Sequence, residues 1–167
     1  MKRRHDTSKV IWDLVAFLGK RGWTVDQVEP PPAVCMAARW VMASAFVMVF
    51  VDGTARGSGR PEELVTGWVE RLPETLKKQA NAEFSGALSV FLALTFCDLT
   101  EPLATEALGC KDLRVFAAVH GFCRVVDFEE CTIREHSGVP FFTSYGAQDI
   151  RDFLAQWKAF IAGGTGA

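Results

Sequence analysis

Tyrosine and histidine are scarce in this sequence, and the short motifs that mark common catalytic centres are missing. One Tyr and three His stand beside 13 Phe and five Trp in 167 residues. Phe carries no polar group, so this balance predicts a filled hydrophobic core rather than a polar site. Neither a Gly-x-Ser-x-Gly elbow nor a Cys-x-x-Cys pair occurs. These absences exclude the usual signatures of a serine hydrolase and of a paired-cysteine zinc site.

A surplus of charge of one sign is missing as well. The chain has 18 basic and 20 acidic residues, for a net charge of −2. Binding to a nucleic-acid backbone needs basic side chains gathered on one face. The only dense basic run is Lys2, Arg3 and Arg4. The sequence therefore gives no strong nucleic-acid signal, and a contact of this N-terminal run with a membrane or a nucleic acid stays open as the alternative to a solvated terminus.

A regular disulfide framework is also absent. The five cysteines are odd in number, and most lie inside or beside apolar runs, where a free Cys behaves as a small hydrophobe. Such thiols are typical of a reducing compartment. The basic start leads into a segment with Asp13, Lys20 and Arg21, unlike a secretion signal, so we expect a cytoplasmic protein. The cysteines are Cys35, Cys97, Cys110, Cys123 and Cys131.

One long apolar run, residues 33–51, raises the question of a membrane helix. Its single charge is Arg39, and a central Arg costs about 2.5–3.5 kcal/mol on insertion, which the other residues could outweigh. However, residues 46–51 are β-branched, aromatic or Met, and Ala43-Ser44-Ala45 interrupts the run. This composition favours two buried strands or one long bent strand. A membrane helix remains the alternative.

Hydrophobic periodicity predicts helices at both ends of the chain. Asp6, Thr7 or Ser8 can cap the first helix, and Pro61 suits the start of a second. A short helix should follow Thr100 and end at Gly109. The apolar faces of the first, second and last helices are Val10, Ile11, Leu14, Val15 and Leu18, then Leu64, Val65, Trp68, Val69 and Leu72, then Ile150, Phe153, Leu154, Trp157, Phe160 and Ile161.

The remaining apolar segments predict strands. They cover about residues 23–28, 36–42, 45–51, 87–96, 113–119 and 122–128. His120-Gly121 could form a hairpin turn between the last two, or lie within one continuous bent strand. We therefore predict one α/β or α+β domain over residues 1–167, with frayed tails at 1–5 and 163–167. Its mixed central sheet should have about five to six strands and be flanked by about three to four helices.

The order of the first elements resembles the core of restriction-endonuclease-like domains. That family places an acid near one strand and an acid-x-Lys pair on the next. Residues 46–51 carry no such pair, and Asp127-Phe128-Glu129 is not followed by a usable Lys. The resemblance therefore implies a fold and not an activity.

A glycine-rich loop follows the strand that ends near Val51. Asp52, Gly53, Gly57 and Gly59 are the candidate ligand-binding residues, because glycines let backbone N–H groups approach a phosphate. Their spacing resembles the glycine-rich turn of short-chain dehydrogenases. That turn belongs to a full βαβ unit with an acid about 20 residues further on. This chain is short for that family, and the region before the loop does not supply the expected N-terminal strand. A plain flexible loop is the alternative.

Two acids are the candidate metal ligands. Alternation puts Asp127 and Glu129 on one strand face, where they could hold a hard cation or share a proton. The alternative is a solvated strand edge whose charges discourage edge pairing. A second set of possible metal ligands comprises Cys110, His120, Cys123, Cys131 and His136. Thiolate and imidazole groups can bind zinc, but the spacing of these residues is not that of a zinc site.

Two functions from different classes follow from these patterns. The first is a non-catalytic binding or protein-interaction module, acting on a protein partner or as a homo-oligomer and without a cofactor. The second is a small enzyme or nucleotide-binding protein that uses residues 52–59, or a nuclease-like metal site, so whether the protein is an enzyme stays open. The tryptophans at 23, 40, 68 and 157 are predicted in the core. One that proved exposed beside other apolar residues would instead anchor a partner.

Overall fold

Helices and strands account for most of the chain that the structure describes. The computed structural model describes residues 5–27, 33–41, 43–55, 89–109, 113–114, 119–135 and 146–164. The helices in these ranges are α1 (Thr7–Lys20), α2 (Glu101–Gly109) and α3 (Ala147–Gly164). The strands are β1 (Thr24–Gln27), β2 (Ala33–Val41), β3 (Ser44–Asp52), β4 (Ser89–Cys97), β5 (Leu113–Arg114), β6 (Val119–Asp127) and β7 (Thr132–Glu135).

Helix α1 forms where capping and periodicity predict it. The Asp6 side chain accepts a hydrogen bond from the Lys9 backbone N–H at 3.3 Å, which satisfies one N–H at the open end of the helix. All five apolar positions of the predicted face are buried. Gly22, with φ of +93°, then turns the chain towards β1 in a conformation that glycine adopts without a Cβ clash.

The strands form one mixed sheet in the order β1-β2-β3-β4-β6-β5, and β7 also pairs with β6. Strands β3, β4 and β6 are parallel to one another, while β2 is antiparallel to both β1 and β3. β5 and β7 pair with different parts of β6, at His120–Gly121 and at Arg124–Asp127 respectively. The predicted α/β fold with a mixed central sheet is therefore confirmed. The likeness to restriction-endonuclease-like domains stays a prediction.

The apolar run at 33–51 folds as two strands. β2 and β3 pair antiparallel, with Met36 opposite Val49 and Ala38 opposite Val47. Both faces of these central strands are covered, so alternation between polar and apolar residues is absent from β3. None of the helices in the described part of the chain is long and apolar enough to cross a membrane.

Apolar side chains fill both faces of the sheet. On one face α2 packs through Ala104 and Ala107 against the sheet residues Val49, Leu94 and Val125. On the other face α1 and α3 cover the sheet. The buried residues of that second face include Ile11, Leu14, Phe50, Ala93, Cys97, Val126, Phe128, Ile150 and Phe153.

Two predictions about element boundaries need correction. A hairpin turn at His120-Gly121 is wrong, because both residues lie inside the continuous strand β6. β5 pairs antiparallel with β6, and the residues between them, 115–118, lie outside the described residues. α3 extends to Gly164, into the segment predicted to be a frayed tail, and residues 1–4 and 165–167 lie outside the described residues. The helix predicted from Pro61 also lies outside them.

Candidate functional site

The glycine-rich loop begins at the end of β3, and its described part closes on itself. Asp52 Oδ1 accepts hydrogen bonds from the Thr54 backbone N–H at 2.8 Å and from the Thr54 hydroxyl at 2.6 Å. The Gly53 N–H donates to the Cys97 carbonyl at 2.8 Å, and the Ala55 N–H to the Asp52 carbonyl at 3.3 Å. The backbone N–H groups of residues 53–55 are therefore engaged within the protein rather than directed at a phosphate.

Gly53 has a packing reason to be glycine. A Cβ at this position would lie 2.5 Å from the Cys97 carbonyl oxygen and 2.8 Å from Leu99 Cδ2. Its small size thus allows β3 and the end of β4 to approach closely. The predicted phosphate-binding role has no support at Asp52 and Gly53, and Gly57 and Gly59 lie outside the described residues.

The predicted acidic pair, Asp127 and Glu129, does not share a strand face. β6 ends at Asp127, whose Oδ1 accepts the backbone N–H groups of Glu129 and Glu130 at 2.9 and 2.8 Å. Alternation fails here because Glu129 belongs to the turn that follows, where its side chain is exposed. Asp127 therefore stabilises the turn between β6 and β7, a usual role for Asp.

The described Cys and His residues that were considered as metal ligands do not lie together in one site. Cys123 is buried in the sheet within β6, and Cys131 lies in the turn after that strand. Cys110 and His136 lie outside the described residues. Among the residues that the structure does describe, no three His, Cys, Asp or Glu side chains are grouped so as to hold a metal ion.

A buried acid that sequence patterns did not indicate, Asp98, lies just after β4. It is 2% exposed and has a φ of +59°, a left-handed conformation that Asp tolerates better than most residues. Its Oδ2 accepts the Thr7 hydroxyl at 2.5 Å and lies 2.7 Å from His5 Nε2. Its Oδ1 accepts the Phe128 backbone N–H at 2.9 Å. Asp98 therefore joins the start of α1 to the ends of β4 and β6.

Aromatic rings enclose the histidine of this cluster. The His5 ring meets the rings of Phe128 and Trp157 edge to face, with centroids 6.1 and 6.0 Å away. Trp157 Nε1 donates to the Phe128 carbonyl at 2.9 Å, which fixes the indole. A His–Asp pair can act as a general base only where a substrate reaches the imidazole. Here the two side chains are 8% and 2% exposed, so the pair joins segments of the fold.

An open groove of about 400 Å³ lies between β7 and α3. Its helical wall comes from α3 positions spaced three or four apart, which share one helix face. Leu154 is buried beneath this wall, and Ile133 on β7 is partly buried opposite it. We call this feature the β7–α3 groove, and it is lined by Cys131, Thr132, Ile133, Arg151, Leu154, Ala155 and Lys158.

The charged residues of the groove are basic. Arg151 and Lys158 are both exposed on α3, and neither forms an ion pair with another residue that the structure describes. Burial raises the pKa of the Cys131 thiol, and the nearby charge of Lys158 offsets only part of that rise. Cys131 is therefore a neutral thiol at pH 7, and a poor nucleophile. The groove offers cations and apolar surface rather than a reactive group.

Beside the groove, β6 carries a fully buried arginine. Arg124 Nε lies 2.8 Å from Glu135 Oε1 on β7, an ion pair without the alignment of a hydrogen bond. Its guanidinium also lies 3.3 Å from Met48 Sδ and 5.0 Å from the Phe122 ring centroid. Burial lowers the pKa of Arg124 to about 10, which leaves it charged at pH 7. Glu135 is thus engaged by Arg124, and none of the described carboxylates forms an ion pair with Arg151.

Three large apolar side chains are exposed among the described residues. Trp12 and Trp40 are each 42% exposed, and Phe160 is 70% exposed. Trp40 was predicted in the core, but it lies one residue from the end of β2, beyond the buried positions Met36 and Ala38. The Phe160 ring stacks on the Trp157 ring, with the two ring centroids 5.5 Å apart. This contact continues the apolar face of α3 past the edge of the core.

Comparison with known proteins adds no family to this picture. No protein-family model matches the chain, and no curated protein shows significant similarity to it.

Proposed function

We propose that this protein is a non-catalytic protein-interaction module and that the β7–α3 groove is its docking surface. The groove is open rather than enclosed. An enclosed pocket would bury most of a small ligand, whereas an open groove covers one side of a longer segment. The observation that carries the proposal is this open apolar floor between a strand and a helix, with Arg151 and Lys158 exposed at its rim and not ion-paired to any residue that the structure describes.

Like many protein interfaces, the groove has apolar residues at its centre and charged residues at its margin. Ile133 and Leu154 offer apolar contact at the floor, where water would be excluded. Arg151 and Lys158 lie at the solvent-exposed margin, where charges guide association and select a partner of opposite charge. No reactive group is required, which agrees with the neutral thiol of Cys131.

A blocking substitution tests this proposal. A random peptide library displayed on phage is selected on the wild-type protein, and the selected peptides are measured against two variants. Ala155→Trp fills the groove, because Ala155 lines it and is exposed. Gln156→Trp is the matched control, since this neighbouring exposed residue of α3 does not line the groove.

We expect the selected peptides to bind wild type and Gln156→Trp equally, and Ala155→Trp at least about tenfold more weakly, a loss of about 1.4 kcal/mol. Equal binding to all three proteins would place the docking surface elsewhere and overturn the proposal. A rise in melting temperature with nucleotides or divalent ions, together with a library that yields no peptide, would favour the enzyme or metal-site alternative.

A further inference from the structure

The outer edge of β7 is open in the part of the chain that the structure describes. Residues 132–135 pair with β6 on one side, and no described strand pairs with the other. Such an edge presents backbone N–H and C=O groups in the spacing of a strand, which is a template for another extended segment. Because β7 is also one wall of the β7–α3 groove, the open edge and the groove meet.

A segment that paired with this edge would have two different faces. On β7, Ile133 packs on the face covered by α1 and α3, whereas Arg134 points to the other face and binds Glu101 of α2 at 2.8 and 3.1 Å. Side chains alternate between faces in a strand. Every second residue of an added strand would therefore lie over the groove, next to Ile133 and Leu154.

The charges of the groove select the chemistry of those residues. Arg151 and Lys158 are seven residues apart on α3, about 10 Å along the helix axis. Residues on one face of a strand repeat about every 7 Å, so acids two or four residues apart come within reach of these long side chains. The charges of Asp127 and Glu130 reach Cys131, but among the described residues neither acid forms an ion pair with Arg151 or Lys158.

We propose that the β7–α3 groove binds an extended acidic segment of a partner protein by adding it as a further strand to β7. Backbone hydrogen bonds to β7 supply the pairing. Acidic side chains at alternate positions contact Arg151 and Lys158, and an apolar residue between them contacts Ile133 and Leu154. This inference rests on the proposed docking function of the groove and adds its occupant and its binding mode.

The probe is a fluorescein-labelled peptide of seven residues in which Thr alternates with Glu, Val and Glu. Its binding to the full chain is followed by fluorescence polarisation. We expect Arg151→Glu and Lys158→Glu each to weaken binding about fivefold, the size of one exposed ion pair. Lys20→Glu is the matched control, because Lys20 is exposed on α1 and makes the same change of charge away from the groove. Both groove variants should melt like wild type.

Two N-methylated forms of the peptide test strand addition itself. In one the methyl groups lie on the backbone nitrogens of the Thr residues, and in the other on those of Glu, Val and Glu. Only alternate N–H groups of a strand face its neighbour. One form should therefore lose binding by about tenfold or more, while the other stays within about twofold.

Each remaining outcome also decides the question. Equal binding of the two methylated forms would overturn strand addition, as would tighter binding of a helical peptide of the same composition. If that helical peptide is still blocked by Ala155→Trp, the docking function stands and only the mode is wrong. Absence of binding by the probe at about 1 mM, where even weak complexes form, overturns the acidic segment. A dimer joined through β7, detected by light scattering, would replace the partner protein with a second copy of the chain.

Discussion

Asp98 holds together three segments that are distant in the sequence. His5, Thr7 and the Phe128 backbone all contact one carboxylate, which is almost fully buried. The left-handed backbone at Asp98 lets the chain leave β4 and begin α2 three residues later. Asp and Asn enter this conformation more readily than other non-glycine residues. The Asp at the end of a buried strand was visible in the sequence, but its partners come from distant parts of the chain and were not.

Gly53→Ala is expected to destabilise the protein by about 2 kcal/mol, the usual range for forcing an extra methyl into a packed site. The new Cβ would meet the Cys97 carbonyl oxygen and Leu99, and the backbone must shift to relieve this. Urea unfolding followed by fluorescence measures the change.

Gly163→Ala is the matched control for this substitution. Nothing lies within 4 Å of a Cβ at Gly163, which is in α3, so alanine should stabilise the protein by up to about 1 kcal/mol. An unchanged free energy of unfolding in Gly53→Ala would show that β3 and β4 do not need this close approach.

Among the elements, β7 shows most clearly what sequence patterns leave out. Helices α1 and α3 were predictable because their apolar residues repeat over several turns. β7 has four residues, Thr132–Glu135, with a single apolar side chain, and so it gives almost no periodic signal. The strand predicted over residues 122–128 begins earlier, at Val119, and includes Gly121. Glycine normally interrupts a strand, whereas here β4 pairs with Gly121 on one side and β5 on the other. The groove depends on β7, and sequence reasoning therefore missed it.

The pair of Arg124 and Glu135 joins β7 to β6, and breaking it is expected to be costly. Glu135→Gln leaves a buried guanidinium, which burial does not make neutral at pH 7. We expect a loss of about 3 kcal/mol in the free energy of unfolding, measured with urea. Arg124→Met combined with Glu135→Leu should recover most of this loss, because apolar residues need no ionic partner there.

The control for this pair is another ion pair at the protein surface. Glu101→Gln breaks the contact with Arg134, but the Glu101 side chain is 72% exposed and is solvated by water when it is released. The free energy of unfolding should change little. A loss in Glu101→Gln equal to that in Glu135→Gln would contradict the view that burial makes the difference.

For the whole molecule, two cysteine thiols buried in the core make the stability sensitive to alkaline pH. Burial raises the pKa of Cys35 to about 12 and that of Cys97 well above its ordinary value of 9.0. At a pH between 9.0 and about 12, the unfolded chain has released the Cys35 thiol proton, whereas the folded chain still holds it. The unfolded state then binds fewer protons, so the free energy of unfolding falls as pH rises above about 9.

Cys35→Ala is expected to flatten this fall. Each buried thiol should contribute about 1 kcal/mol to the loss between pH 8 and pH 10, and the variant lacks one of them. Urea unfolding at the two pH values measures the difference. Cys131→Ala is the control, because its partly exposed thiol has the smaller shift and should alter the slope less. Equal slopes for wild type and Cys35→Ala would contradict the prediction.

The fold class followed from composition and periodicity because buried strands and amphipathic helices each have a local pattern. Their arrangement in space has none. Leu92 of β4, for example, lies between Val47 of β3 and Gly121 of β6, and nothing local in the sequence joins these three residues. The groove likewise combines β7 with a helix that begins 12 positions after the end of that strand.

This same parallel pairing governs how the chain can reach its native state. β3 and β4 are separated by residues 53–88, so their contacts form only after a long loop has closed, at a cost in chain entropy. The antiparallel strands β1, β2 and β3 are neighbours in sequence and close much shorter loops. We therefore expect the parallel pairing of β3 with β4 to form later than the antiparallel pairing of β2 with β3, and to limit the folding rate.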